Sequence, residues 1–234
     1  MPLPQIDVPI YELQLVSKEQ KIQYRPFLVK EKKILMIAAE SKDPSAAYLA
    51  VKQIVNNCTF NKIDVEDLAL FDLQYLFLNI RSKSIGEVSE FKFSCPKCKN
   101  KILSSINFEE IKITKDPNHD KKIMITDKIG IVMKYPNMQI EKLAKQNYGR
   151  EELDLKVVVS CIDYVFDQEQ VYYSKDITQK ELEELIESLT EQQFKKISKF
   201  FDTLPSLKHN IPYACSSCGH ADTYEVKDLY GFFA

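Results

Sequence analysis

The sequence predicts an α+β chain. Two β-hairpins tipped by Cys-x-x-Cys clasps are separated by a long, largely helical insertion and preceded by an N-terminal hairpin plus helices. Three observations lead there. Apolar and polar residues alternate on the approach to Cys95–Cys98 and to Cys215–Cys218, the period of half-buried strands. Apolar residues recur at helical spacing after Pro44 and between Thr178 and Phe201. The order of these patterns is hairpin, helices, clasp, strands, helices, clasp, with no internal repeat of fixed period.

The chain begins as a proline-punctuated arm with Pro2, Pro4 and Pro9, which cannot join the middle of a sheet because proline lacks an N–H donor. Tyr11, Leu13 and Leu15, then Ile22 and Tyr24, alternate with polar residues, so a hairpin turning near residues 17–20 is expected. "FLVKEKKILMIAAES" reads as a helix. Asp43-Pro44 is a start signal, an N-cap candidate with proline at the first helical position. Ala47, Ala50, Val51, Ile54, Val55 and Cys58 then form one apolar stripe. Residues 66–82 are apolar on several sides, as in a largely buried helix.

From Glu87 the period changes to two. Phe91, Phe93 and Cys95 alternate with Lys92 and Ser94, and "KILSSINF" leads away from the clasp as a second strand. Further short strands are expected in "EEIKI", "KKIMIT" and "GIVMKYP". Helices resume after Pro136. Through "EELDLKVVVSCIDYVFD" a helix would place Leu155, Val158, Ile162 and Val165 on one face. Thr178 with Glu181 makes a capping box ahead of Leu182, Leu185, Ile186 and Leu189. Thr190 with Gln193 repeats the device ahead of Phe194, Ile197 and Phe201, and Pro205 stops that helix. Ile211, Tyr213 and Cys215 lead into the last clasp, and Tyr224 and Val226 lead out.

Composition excludes several function classes. The chain has 234 residues, 32 basic and 34 acidic, for a net charge of -2, which gives no electrostatic reason to expect nucleic acid. Only five glycines occur and none are neighbours, so no phosphate-cradling loop is present. "LALFDLQYLFLNI" contains Asp72 and is too short to span a bilayer. The N-terminus lacks a basic then apolar leader, so an intracellular protein is expected. No Gly-x-Ser-x-Gly, His-Glu-x-x-His or Cys–His constellation stands out, and "ELEELIES" is spaced as a solvated helix face. The expectation is no enzyme.

The clasps carry the chemistry. In a reducing compartment Cys-x-x-Cys means metal or redox function more often than a structural disulfide. A redox pair wants its cysteines at a helix N-terminus, where free N–H groups lower the nucleophile's pKa. Both clasps here sit between strands. Cys95, Cys98, Cys215 and Cys218, brought together, would supply four thiolates to a tetrahedral Zn²⁺. That makes a zinc-ribbon-like pair of hairpins split by a long insertion, since 116 residues lie between Cys98 and Cys215. Lys97, Lys99 and Lys101 would offset the site's negative charge, and Gly219 suits the turn. Such a site is coordinatively closed and therefore structural. Two separate redox pairs or vestigial thiols are the alternative.

Other reactive side chains read blandly. His220 follows the second clasp closely, but four cysteines already complete the set, so it reads as an exposed turn histidine. His119 in "KDPNHDKK" reads as a solvated loop residue, and His209 has no evident partner. Cys58 and Cys161 lie on apolar helical faces, where a free cysteine behaves as a small hydrophobe. The "MPLPQIDVP" arm and the "DLYGFFA" tail are either frayed or self-packed ends, or docking segments for neighbouring subunits.

"LPQIDVPIYELQL", "YRPFLVKEKKIL", "FDLQYLFLNIRSKSIGE", the Cys-Pro-x-Cys clasp and "FFDTLPSLKHNIPYACSSCGH" together resemble the T4-like bacteriophage baseplate hub protein family, over nearly the whole chain. The resemblance implies a structural or assembly role in a contractile-tailed phage, without enzymatic activity. It implies contacts with other baseplate hub, wedge or tail proteins in a hetero-oligomeric assembly, in the host cytoplasm during assembly and then in the tail baseplate. Neither nucleic acid nor membrane is an expected partner. The competing readings are a zinc-ribbon nucleic-acid-binding adaptor and a thiol redox enzyme. The expected divisions are residues 1–86 (arm, hairpin and helices), 87–114 (first half of the split ribbon), 115–205 (strand and helical insertion) and 206–234 (second half and tail).

Overall fold

The structure, a computed structural model, describes residues 6–41, 44–144 and 146–226. The chain divides into two compact units, one drawn from Met1–Val65, Phe71–Thr114 and Ser206–Ala234, the other from Glu66–Leu70 and Lys115–Pro205. It is α+β, with seven α-helices among the described residues and small, wholly antiparallel sheets.

The first unit opens with β1 (Tyr11–Gln14) and β2 (Lys21–Tyr24), paired from Tyr11↔Tyr24 to Gln14↔Lys21 around the expected turn. Alternation puts Ile22 and Tyr24 inside. Helix α1 (Val29–Glu40) starts where the Glu31 carboxylate accepts the Leu28 N–H at 2.8 Å. Helix α2 (Pro44–Cys58) buries Ala50, Ile54, Val55 and Cys58 of the expected stripe and half-buries Ala47 and Val51, while its proposed cap Asp43 lies outside the described residues. Helix α3 (Leu70–Ile85) starts later than the apolar run from residue 66 suggested. It buries Phe71, Leu73, Leu76, Phe77, Leu78 and Ile80, several on successive positions, as a helix covered on most sides must. Strands β3 (Val88–Ser94) and β4 (Lys101–Asn107) form the first clasp hairpin. In "EEIKI" only Ile113 lies in a strand: Phe108–Glu110 is a 3₁₀ turn capped by Asn107, and β5 is just Ile113–Thr114.

The second unit holds the four-stranded sheet β6-β7-β8-β9, made of Lys122–Met124, Gly130–Met133, Ile162–Phe166 and Val171–Tyr173. Helices α4 (Gln139–Ala144) and α5 (Arg150–Ser160) precede β8. Here one expectation fails. The helix does not continue through Ile162 and Val165: the Cys161 N–H closes it onto the carbonyls of Val157 and Val158, and a strand follows. Ile162-Asp163-Tyr164-Val165-Phe166 is β-branched and aromatic, and it finds partners on both edges in β7 and β9. Ile162 and Val165 are still buried, so the apolar assignment was right and the period wrong. Helices α6 (Gln179–Glu187) and α7 (Glu191–Asp202) carry both expected capping boxes, with Thr178 and Thr190 hydroxyls accepting the Glu181 and Gln193 N–H groups. Their Leu182, Ile186, Ile197 and Phe200 join Ile123, Ile131, Val158, Ile162 and Val165 in one core.

Returning to the first unit, the chain forms β10 (Ser206–Leu207), which pairs with β5, then β11 (His209–Ala214) and β12 (Ala221–Val226), the second clasp hairpin. Among the described residues no helix is long and apolar enough to cross a membrane. The tail from residue 227, like arm prolines 2 and 4, lies outside the described residues.

Candidate metal centre

Each clasp is the tip of a two-stranded ribbon, and the two tips have the same hydrogen-bonded turn. In the first, the Cys95 N–H donates to the Asn100 carbonyl at 2.8 Å and the Lys99 N–H to the Cys95 carbonyl at 2.9 Å. In the second, Cys215 N–H to His220 carbonyl and Gly219 N–H to Cys215 carbonyl repeat those distances. The turn needs a left-handed residue just after the second cysteine, supplied by Gly219 at φ 68° and by Lys99 at φ 61°. Glycine adopts this freely, whereas at Lys99 a Cβ must be tolerated at a cost of about 1 kcal/mol.

An aromatic cluster brings the ribbons together. Phe93 of β3 stacks on Tyr224 of β12 at 4.3 Å between ring centroids and meets Tyr213 of β11 edge-on at 4.9 Å, while Phe91 lies 5.7 Å from Tyr224. These rings come from the same period-two alternation that marked the strands. The result is convergence of the tips: the Sγ atoms of Cys95, Cys98, Cys215 and Cys218 all lie within 4.8 Å of one another. Cys95 Sγ is 3.8 Å from Cys218 Sγ, and Cys98 Sγ is 3.5 Å from Cys215 Sγ, so contacts run across the clasps.

The donor set suits a divalent metal of tetrahedral preference. A tetrahedron with metal–sulfur bonds of about 2.3 Å has sulfur–sulfur edges of about 3.8 Å. Two thiols, Cys95 and Cys215, are buried, and two, Cys98 and Cys218, are exposed. Backbone N–H groups of Cys218 and Ser217 directed at the Cys215 sulfur hold its pKa down to about 6, so a thiolate is available at neutral pH. At Cys218 the His220 N–H pulls in the same direction, but the neighbouring sulfurs and burial prevail and push it up to about 11.

A model of the T4 bacteriophage base plate protein family matches residues 8–234, both clasps included. The chain belongs to this family. It is similar to the baseplate hub assembly protein gp26 of Enterobacteria phage T4, 26% identical over 213 residues that span 91% of this chain and 92% of that protein. No solved structure matches.

The other residues singled out from the sequence of this family member fall elsewhere. His220 is half-buried rather than exposed, 3.6 Å from the Asp222 carboxylate and edge-on to Tyr213. His119 is not a solvated loop residue. Its ring lies 5.6 Å from that of Tyr135 and 5.1 Å from that of Phe200, and its Nδ1 is 2.9 Å from Thr203 Oγ1. Because the Thr203 hydroxyl donates to the Lys199 carbonyl, it accepts from Nδ1–H. His209 opens β11 opposite Val226. Cys58 and Cys161 are fully buried, and burial pushes their thiols up to about 12 and about 11, well removed from nucleophilic chemistry.

Two buried polar devices in the first unit escaped the sequence. Asp72 on α3 accepts the N–H groups of Val16 and Ser17 at 2.9 Å each, fastening the β1–β2 turn. Glu31, fully buried on α1, accepts from Arg25 Nη2 at 3.0 Å. Burial alone would push the Glu31 carboxyl up, but the Arg25 and Leu28 hydrogen bonds outweigh it and hold it below the usual range. A carboxylate inside an apolar run was the available signal at Asp72; at Glu31 it was the third position of a helix.

Proposed function

We propose that this chain is a structural and assembly protein of the baseplate hub of a contractile-tailed phage, working through protein–protein contacts and carrying a structural Zn²⁺ on Cys95, Cys98, Cys215 and Cys218. The observation that carries the hub reading is the family match over residues 8–234, joined by similarity to a relative named for hub assembly across 92% of that protein's length. On this reading the protein acts in the host cytoplasm during assembly and in the tail baseplate. It performs no catalysis.

The metal reading rests on the four convergent sulfurs. When bound, zinc supplies a closed tetrahedral cross-link and no open position for substrate. The cysteines hold it, the turn N–H groups stabilise their thiolates, and the Phe93–Tyr224 cluster aligns the two tips. We place the two halves of one zinc ribbon at residues 87–114 and, with the C-terminal tail, 206–234, with residues 115–205 inserted between them. Structural zinc contributes about 10–16 kcal/mol of apparent binding energy in small modules, enough to hold hairpins remote in sequence. The exposed Lys92, Lys97, Lys99 and Lys101 of the first clasp hairpin are what a nucleic-acid adaptor would use, but Glu87, Glu90, Glu109 and Glu110 offset them nearby in the chain, and Lys83 is bound by Glu87 at 2.8 Å and Glu109 at 2.6 Å. Thiol redox chemistry draws no support from clasps set between strands.

Two measurements test the two parts. Elemental analysis of the purified chain is expected to give one zinc per chain, and Cys218→Ala to lower that content together with thermal stability; stoichiometric absence of metal refutes the site. A strain lacking the gene is expected to yield no complete baseplates, and normal tails from it refute the hub role.

A further inference from the structure

Helix α1 has an outer face that its own unit leaves uncovered. Its sequence contains the run Ile34-Leu35-Met36-Ile37-Ala38-Ala39, six consecutive apolar residues that at 100° each cover every side of the helix. Only one of its twelve residues is buried, and that residue is the ion-paired Glu31. Directly opposite Glu31, Val29, Met36 and Ile37 recur at i, i+7 and i+8, and they are 73%, 55% and 70% exposed. Leu49 on α2 is a further exposed apolar side chain, at 55%. Lys33 lies inside this stripe, and Lys32 and Lys30, the latter with its Nζ 3.8 Å from the Glu31 carboxylate, flank it, all three exposed. Glu40 at the C-terminal end is the one exposed acid of the helix.

We propose that this face is a docking surface for a neighbouring protein presenting an apolar stripe bordered by Asp and Glu; the inference rests on the hub reading and names one surface through which it acts. Exposed apolar patches of this kind mark interaction sites. Three lysines around the apolar centre select an acidic rim on the occupant and steer its approach. The same lysines oppose a second copy of this chain, because an isologous contact would bring like charges together. Residues 227–234, "KDLYGFFA", contain one acid and one lysine and lack the acidic border the face calls for.

The test uses the full chain in extracts of phage-infected cells. The unaltered chain co-sediments with tail intermediates. Met36→Asp combined with Ile37→Asp is expected to weaken that association about tenfold or more, equivalent to about 1.4 kcal/mol. Its thermal midpoint is expected to stay unchanged, since the altered side chains are exposed. A photo-crosslinking residue installed at position 37 is expected to capture a peptide of another protein with carboxylates beside its apolar residues. Changing one of those carboxylates to Lys weakens association, and Lys33→Glu in this chain restores it. Crosslinks to a second copy or to residues 227–234, failure of the charge swap, or undiminished co-sedimentation of the double variant overturns the docking face and leaves the hub reading standing. An unaltered chain that does not co-sediment overturns both.

Discussion

Phe93 and Tyr224, 131 positions apart in the chain, lie with ring centroids 4.3 Å apart and planes inclined at 21°. Phe93 is buried, so truncating it removes both packing and the stack. Phe93→Ala is expected to lower unfolding free energy by about 3–4 kcal/mol in urea titration. A double-mutant cycle with Tyr224→Ala should show a coupling of about 1 kcal/mol. Strictly additive losses would mean that the rings do not cooperate in joining the ribbons.

Asp72 holds the turn of the β1–β2 hairpin through two backbone N–H groups. In Asp72→Ala both donors lose their acceptor inside the fold. A loss of about 2–3 kcal/mol is expected, because hydrogen bonds to charged groups are worth more than neutral ones and unsatisfied donors add desolvation. Amide exchange at Val16 and Ser17 should accelerate more than exchange at Val158 or Val159 in α5. Uniform acceleration across the chain would contradict a local fastening role.

His119 gives the second unit a pH dependence. Burial, and secondarily Lys121, lowers its pKa below the usual value of about 6.5. The folded state therefore keeps the ring neutral while the unfolded chain takes up a proton. Stability is full above about pH 6.5 and is lost as pH falls from there through the lower folded value. The buried Nε2, which has no hydrogen-bond partner among the described residues, offers a proton nothing to donate to. Glu31 is also depressed, but its loss begins only below about pH 4.5 and leaves this window untouched. Unfolding free energies at pH 7.5 and 5.5 should differ by less in His119→Gln than in the unaltered chain, the remaining slope belonging to Cys215, whose thiol is held down to about 6. An equal slope in the two proteins rules the histidine out.

Gly130 faces Phe166 directly across the β7–β8 ladder, and a Cβ there would collide with the outer end of the ring. The phenyl ring fills the place of a side chain. Gly130→Ala is expected to cost about 1–3 kcal/mol through overpacking. Combining it with Phe166→Leu should return part of that loss, as thermal unfolding of the single and double variants can check. No recovery would show that the ring is not what the methyl group meets.

How far the sequence disclosed the fold depends on the range of each interaction. The boxes at Thr178–Glu181 and Thr190–Gln193 are complete within four residues, so their chemistry is visible in a short window. The clasp hairpins were legible for a similar reason: alternation and turn lie side by side in the chain. The α5–β8 boundary was not, because a β-branched run satisfies a buried helix and a central strand equally until neighbouring strands are known. Asp72 was seen only as a charge interrupting an apolar run, since its partners stand 55 and 56 positions away. For the sulfurs, spacing supplied each pair, and only the fold brings the four within 4.8 Å.

The distance along the chain between the two clasp hairpins sets a timetable for biosynthesis. At ordinary translation speeds Cys98 leaves the ribosome on the order of ten seconds before Cys215 is made. Through that interval the earlier hairpin has no counterpart, its rings lack their stacking surface, and its thiols stand open to oxidants. Completion of this unit therefore waits on synthesis of the second hairpin, and a ribosome that stalls within the insertion releases a chain unable to close it.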